Sequence, residues 1–303
     1  SNKVMIMGHT NGDIDSIGSS IGIYRLATDL GKPAYIVNTS YGLSLASFIE
    51  ALGEEEGYKN VIINKNESMA KISPETLLVI VDTDKRTYVD VPELLKETSK
   101  IVIIDHHRRS TDFIDDAMLT FHEVYASSAA ELVTEIIEYS EVDVKLTEFE
   151  AEALYAGIMM DTKNFTFKTG VRTFEAAAYL RKCGVDIITV KKWFQSDLET
   201  YNKISRIVAK AEITNDTIAI AVCDEQDKDI NIICAKAADE LLTISNVTAS
   251  FVIGNNGDKI YISGRSIGDI NVQLILEKLG GGGHITLAGA QVEGMTIEEV
   301  KQE

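Results

Sequence analysis

Short apolar runs set the rhythm of the first half of the chain. Val4–Met7, Ala34–Val37, Leu77–Val81 and Ile101–Ile104 are rich in Val and Ile. Each is too short for a buried helix and reads as a strand covered on both faces. Segments of helical spacing lie between and around them, first Ser16–Leu30, then Ser127–Tyr139, Thr147–Met159 and Thr173–Lys182. This alternation predicts an α/β fold, a doubly wound parallel sheet with helices on both faces. The pattern changes after residue 185. Asp186–Ala211 is polar and largely helical and reads as a connector. Beyond it come a strand over Thr217–Val222, a helix over Ile230–Leu242, and strands at Ala249–Ile253 and Lys259–Ser263. Asn255-Asn-Gly257-Asp258 joins the last two as a hairpin. The expected layout is a first domain over 1–185, a helical connector over 186–211, and a smaller α+β domain over 212–303. A chain of 303 residues at roughly 150 per domain agrees with two domains.

Composition narrows the function. Hydrophobic residues make up 45% and charged residues 25% of the chain, enough to bury a core. Asp and Glu number 47 against 29 Lys and Arg, a net charge of −18. Duplex nucleic acid is therefore not an expected partner, since phosphate neutralisation by Lys and Arg supplies most non-specific affinity. The three cysteines, Cys183, Cys223 and Cys234, are an odd number without zinc-ribbon spacing, and read as reduced core thiols of a cytosolic protein. No apolar run approaches the roughly 20 residues that span a bilayer, and no signal peptide is apparent. The Ser-Asn start reads as a tag scar on an excised fragment, so an anchor in a longer parent would not show.

Polar residues gather where the predicted strands end, the place where open α/β sheets put their ligands. His9-Thr-Asn-Gly-Asp13-Ile-Asp15 follows the first strand, Asp82 the third, and Asp105-His106-His107 the fourth; Asp161 follows an apolar helix. Carboxylates packed together raise one another's pKa, a cost that a divalent cation relieves. Oxygen and imidazole donors without thiolate suit Mn²⁺ or Mg²⁺ better than structural zinc. Each segment alone has a plainer role, since Asp15 or Ser16 would serve as a helix cap; four such segments together favour a shared metal centre. Of the five histidines, only His122 lies outside these segments and the glycine tract Gly280-Gly281-Gly282-Gly283-His284. That tract is either a flexible loop or an anion-binding nest, and a helix starting after it would add its positive end. Arg265 upstream offers a fork for phosphate. Ser263 and Asn271 are candidates for contact with a base or ribose.

The combination resembles the DHH phosphoesterase superfamily with its DHH-associated domain, over essentially the whole chain. Ala237-Ala-Asp-Glu-Leu-Leu242, Val247-Thr-Ala-Ser-Phe-Val252 and Arg265-Ser-x-x-Asp269-Ile-Asn-Val-Gln273 resemble the catalytic module of GdpP-type cyclic-di-AMP phosphodiesterases. The resemblance implies a parallel-sheet domain and a smaller α+β domain with a cleft between them. It implies two Mn²⁺ ions (Mg²⁺ a substitute), one held by His9, Asp13 and Asp82, the other by Asp15, Asp82, His106 and Asp161. Asp105 would orient the imidazoles and His107 would face the scissile phosphate. Arg265, Gly281, Gly282, Gly283 and His284 would bind the far phosphate or nucleoside. Water activated by the two ions would open cyclic-di-AMP to linear pApA. The resemblance further implies a bacterial parent with transmembrane, PAS and degenerate GGDEF domains, this part lying at the cytoplasmic face; a homodimer is compatible with it. Gly264 stands where relatives often have Ala, and Thr10-Asn-Gly12 differs from the usual filling between ligands. Rival readings are a short-oligonucleotide or pAp phosphatase, a RecJ-like exonuclease and a manganese pyrophosphatase, and, in another class, an inactive cyclic-dinucleotide binding module.

Overall fold

A computed structural model describes residues 2–42, 45–109 and 111–303, with the side chain of His284 outside the description. The chain divides into two compact units, Ser1–Gln195 and Ser196–Glu303.

The first unit runs β1 (Lys3–Met7), α1 (Ile14–Asp29), β2 (Ala34–Val37), α2 (Ala46–Glu54), β3 (Ile62–Ile63), α3 (Lys65–Lys71), β4 (Thr76–Val81), β5 (Ile101–Asp105), β6 (Leu119–His122), α4 (Ala129–Glu138), α5 (Glu148–Asp161), α6 (Val171–Lys182) and α7 (Ile187–Trp193). Its sheet has the order β3-β2-β1-β4-β5-β6, and every pairing is parallel. The strand order reverses between β1 and β4, so the loops after these two strands open on the crevice where such sheets bind ligands. On one face Ile17 and Ile21 of α1, Leu132 and Val133 of α4, and Ala153 and Leu154 of α5 bury against Val79, Val81 and Ile104. On the other face Met5, Met7, Leu78, Ile80, Ile101 and Ile103 meet Val89, Val91, Leu94 and Leu95, with Met69 of α3 alongside. Leu94 and Leu95 belong to a 3-10 helix over Pro92–Lys96, so the second face is covered by less helix than the first.

Glycine lets α1 lie unusually close to α5. A Cβ on Gly18 would meet Ala153 O at 2.4 Å, and one on Gly157 would meet Asp15 Oδ1 at 2.8 Å. The start of α5 is fixed by a capping box, with Thr147 accepting from Glu150 N and Glu150 accepting from Thr147 N. The same buried Glu150 accepts from Arg25 and from the Tyr58 hydroxyl, which ties α1 to α5 and offsets the cost of burying the carboxylate.

The second unit comprises α8 (Leu198–Ala209), β7 (Glu212–Thr214), β8 (Ile218–Val222), α9 (Ile230–Leu241), β9 (Ala249–Asn255), β10 (Ile260–Ser266), α10 (Val272–Glu277), β11 (Gly282–His284), β12 (Leu287–Val292) and α11 (Ile297–Gln302). The sheet order is β11-β12-β10-β9-β8-β7, with β8–β9 parallel and the other pairs antiparallel. Ile233, Cys234, Ala237 and Leu241 of α9 bury against Ala219, Ala221 and Val252. Val272 and Leu276 of α10 and Val300 of α11 bury with Ile253, Ile262, Ala288 and Ala290. The stretch 186–211, read as a connector, consists of α7, whose Val190 and Trp193 pack in the first unit, and α8, whose Ile204 and Ile207 pack in the second. Cys223 and Cys234 are buried and free; Cys183 is free but only half-buried, so it is not the core thiol expected.

Candidate metal centre

Four loops of the first unit converge at the carboxyl edge of its sheet. After β1, Gly8 passes so close to Ser16 that a Cβ would lie 1.9 Å from its hydroxyl, and the chain delivers His9 to the crevice. His9 Nδ1 lies 2.9 Å from Thr10 O and donates to it, which leaves Nε2 as the nitrogen turned to the carboxylates. That nitrogen faces Asp82 Oδ2 at 3.4 Å and Asp13 Oδ1 at 3.9 Å. The ring is stacked on Tyr88, centroids 5.1 Å apart. Asp13 caps α1, its Oδ1 accepting from the backbone N–H of Asp15 and Ser16. The cap is thus Asp13, not Asp15 or Ser16.

Asp15 is fully buried and turns to another helix, accepting from Ala129 N at 2.7 Å and Ala130 N at 2.8 Å. The positive end of α4 thereby supports its charge. Asp82 follows β4 in a left-handed conformation, φ +62°, anchored by its N–H donating to Ile104 O at 2.9 Å. Oδ1 lies 3.4 Å from His106 Nε2 and 3.6 Å from His107 Nδ1, and is buried without a hydrogen-bond partner. His106 Nε2 also faces Asp161 Oδ2 at 3.2 Å and Asp15 Oδ2 at 3.8 Å, and neither of its ring nitrogens is hydrogen-bonded. Asp105, at the end of β5, accepts at Oδ1 from His106 N, His107 N and His107 Nδ1, which fixes the tilt of the second imidazole. Three groups of donors follow, each with its atoms within 4.8 Å of one another: His9, Asp13 and Asp82; Asp15, His106 and Asp161; Asp82, His106 and His107. Asp82 belongs to two of them.

The electrostatics are those of crowded carboxylates. Burial works against a protonated His9, but the facing Asp13 and Asp82 override it and push the ring up to about 12. His106 is raised against burial in the same way by Asp161 and Asp82. Burial, joined by the neighbouring charge of Asp82, drives Asp15 well above the ordinary carboxylate range; burial also raises Asp161. Asp82 is held low against burial by His106 and His9. Protons on imidazole here offset charge that a divalent cation would offset better. Orphaned Asp82 Oδ1 and His106 Nε2, facing one another without a hydrogen bond, fit such a cation. His9, Asp13, Asp82, Tyr88, His107 and Asp161 border a cavity of about 320 Å³.

The second unit places its predicted residues less simply. Ser263 borders a hollow of about 500 Å³ with Gly280, Gly281 and Gly282. Arg265 is buried, its Nε donating to Asp239 Oδ1 at 3.0 Å and its Nη1 to Gly264 O. Asn271 caps α10, Oδ1 accepting from Leu274 N. The expected helix after the glycine tract is absent: Gly282–His284 is strand β11, paired with β12, and the neighbouring helix α10 precedes it. Two of the four glycines, Gly281 and Gly283, are required by close approach. A Cβ on Gly281 would lie 2.2 Å from Gly289 O, and Gly283 has φ +148° with Leu287 O at 2.4 Å. The side chain of His284 lies outside the described part. Sequence reasoning missed the Ala129 and Ala130 N–H groups and Tyr88. A helix start was legible near Ser127, but not that its amides aim at Asp15.

A parallel sheet in this order carries, at its carboxyl edge, acidic and imidazole side chains in groups that could hold a metal ion. The DHH family N-terminal domain matches residues 3–158 and the DHHA1 domain residues 215–303; the chain belongs to the DHH family. It is 43% identical, over its full length, to 47% of the Cyclic-di-AMP phosphodiesterase PdeA of Listeria monocytogenes. Over 99% of its length it is 41% identical to 46% of the Cyclic-di-AMP phosphodiesterase GdpP of Bacillus subtilis. The chain spans about half the length of these curated relatives. The Bifunctional oligoribonuclease and PAP phosphatase NrnA of Thermus thermophilus is 25% identical over 98% of this chain and 86% of that protein. Among solved structures, an exopolyphosphatase-related protein from Bacteroides fragilis superposes with a TM-score of 0.81 at 21% identity, covering 99% of this chain and 90% of that one. RecJ from Thermus thermophilus in complex with Mn²⁺ gives 0.52 at 14% identity, covering 99% of this chain and 51% of RecJ. Both show the fold.

Proposed function

We propose that this chain is the catalytic module of a cyclic-di-AMP phosphodiesterase, opening the ring to linear pApA with two divalent ions, Mn²⁺ first and Mg²⁺ as a substitute. One observation carries the reading: buried Asp82 turns one oxygen to His9 and the other to His106 and His107, the arrangement of a carboxylate shared between two ions. The relatives named for this activity support the substrate, since they match along the whole chain.

His9, Asp13 and Asp82 would hold one ion; Asp15, Asp82, His106 and Asp161 would hold the other. When bound, the ions supply Lewis acidity, making water acidic near neutral pH and offsetting phosphate charge. The protein positions the rest. Asp105 holds Nδ1 of His107, so Nε2 is the nitrogen left to face the scissile phosphate. Water adds to phosphorus as the P–O3′ bond breaks; the oxygen leaves with a proton as a 3′-hydroxyl, and the 5′-phosphate of pApA remains. Ser263, Arg265, Asn271, Gly281, Gly282, Gly283 and His284 are proposed to bind the far phosphate or nucleoside. Arg265 would do so with the part of its guanidinium that Asp239 and Gly264 leave over. The length of the relatives supports a longer parent; the proposal gives it a bacterial source and transmembrane, PAS and degenerate GGDEF segments, with this part at the cytoplasmic face of the membrane.

The NrnA relative favours a second reading, a short-oligonucleotide or pAp phosphatase. Product analysis with cyclic-di-AMP, cyclic-di-GMP and pApA, each with Mn²⁺, Mg²⁺ or chelator, decides. The expected result is Mn²⁺-dependent conversion of cyclic-di-AMP to pApA, faster than any cleavage of pApA. Preferential cleavage of pApA assigns the second reading instead, and no cleavage of either assigns an inactive binding module.

A further inference from the structure

Beside the metal centre lies another set of donor atoms that the proposed hydrolysis leaves unused. Asp84 stands two residues past Asp82, Asp105 ends β5, and His122 ends β6. Parallel pairing sets Asp105 opposite His122, and Asp84 is brought alongside by its carbonyl accepting from Ile114 N at 2.8 Å. One donor atom from each lies within 4.8 Å of the others. Asp84 and Asp105 are 3% and 0% exposed. Asp84 Oδ2, Asp105 Oδ2 and His122 Nε2 are all buried without a hydrogen-bond partner. Asp105 spends only Oδ1 on the two histidines that follow it, while Oδ2 faces His122 Nε2 at 3.8 Å, too far for a hydrogen bond. Arg109, half exposed, has its Nε 3.9 Å from Asp84 Oδ2, again beyond hydrogen-bond reach.

Buried carboxylate oxygens left unpaired are costly, and two of them together more so. An ion about 2.1 Å from each of its donors holds them roughly 3–4 Å apart, the spacing seen between Asp105 and His122. Two carboxylates and an imidazole, without thiolate, form a donor set for a first-row divalent ion. We propose that Asp84, Asp105 and His122 form a third divalent-cation site, taking Mn²⁺ independently of the groups around Asp82. An ion there pins Asp105 from behind and so steadies the carboxylate that aims His107.

Crystals grown with millimolar Mn²⁺, measured at the manganese edge, test this directly. The expected map has an anomalous peak bounded by Asp84, Asp105 and His122 in the wild-type protein. Asp84→Ala and His122→Ala each lose that peak and bind one equivalent fewer in solution, with the peaks around Asp82 kept. A wild-type map without the third peak overturns the proposal whatever the variants do, and so does a peak that persists in both variants. The inference does not rest on the proposed function. Empty donor groups around Asp82 beside a filled third site would defeat that function alone, and the reverse pattern would defeat only this site.

Discussion

At the scale of single residues the centre turns on Asp82, which serves two donor groups from a backbone conformation that L-residues rarely adopt. The left-handed region costs a residue with a Cβ roughly 1–2 kcal/mol, and such strain collects where a side chain must be aimed. Asp82→Ala removes the shared carboxylate and keeps the strain; Asp82→Gly removes both. Both variants are expected to lose hydrolysis of cyclic-di-AMP down to background, because donors for both ions go at once. They should differ in stability. Glycine relieves the positive φ but adds freedom to the unfolded chain, about 0.4–1 kcal/mol in the opposite direction. Asp82→Gly should therefore be more stable than Asp82→Ala by about 0.5–1 kcal/mol in urea titration. Equal stabilities, or an Ala variant that is the firmer of the two, would show that φ of +62° is not held in the folded protein. Near-normal turnover in either variant would remove Asp82 from the bridging role proposed for it.

At the scale of elements, the donor cluster depends on how closely α1, α4 and α5 pack. A methyl on Gly157 would sit 2.8 Å from Asp15 Oδ1 and 2.9 Å from Ala130 Cβ, pushing at a carboxylate of the donor cluster and at the amide end that supports it. Gly157→Ala is expected to cost about 1–3 kcal/mol and to lower kcat as Asp15 shifts; unaltered melting and turnover would mean that the three helices yield freely there. Gly281→Ala, whose methyl would meet Gly289 O at 2.2 Å, should destabilise the second unit by a similar amount while Mn²⁺ binding in calorimetry stays as in the wild type. These contacts mark the limit of what the sequence discloses. The strands β1, β2, β4 and β5 were legible because continuous Val and Ile signal burial on both faces, and the ligand-bearing loops were legible because they follow those strands. Strands with little buried apolar surface were not: β6 buries none of its four residues fully, β7 is wholly exposed, and β12 buries only Ala288, Ala290 and Val292 on its inner side, too little apolar bulk to announce a strand. The neighbours of Gly281 and Gly283 were not legible either, since a single chain read alone gives no sign of which backbone comes near. Asp13, Asp15, Asp82, His106 and Asp161 could be named one by one, whereas the sharing of Asp82 and the capping of α4 by Asp15 are tertiary facts.

At the scale of the whole molecule, a chain of net charge −18 is proposed to capture a doubly anionic ring, so attraction must come from the centre and not from the surface. Long-range charge is screened over about 8–10 Å at ordinary ionic strength, and a surface of like sign repels the substrate most when salt is low. The KM for cyclic-di-AMP should accordingly stay level or fall as KCl rises from about 50 to about 300 mM. A steep rise, the mark of capture by Lys and Arg, would contradict this. The same logic governs stability. Cations that bind the folded donors and not the unfolded chain stabilise by about 2.7 kcal/mol at one hundred times Kd, so Mn²⁺ should raise the melting temperature and a chelator should reverse the gain together with activity. Asp82→Ala must lose most of that increment for the two effects to share one cause. If wild type and variant gain equally from Mn²⁺, the stabilising ion binds elsewhere, and the crowding of Asp13, Asp15, Asp82 and Asp161 needs another explanation.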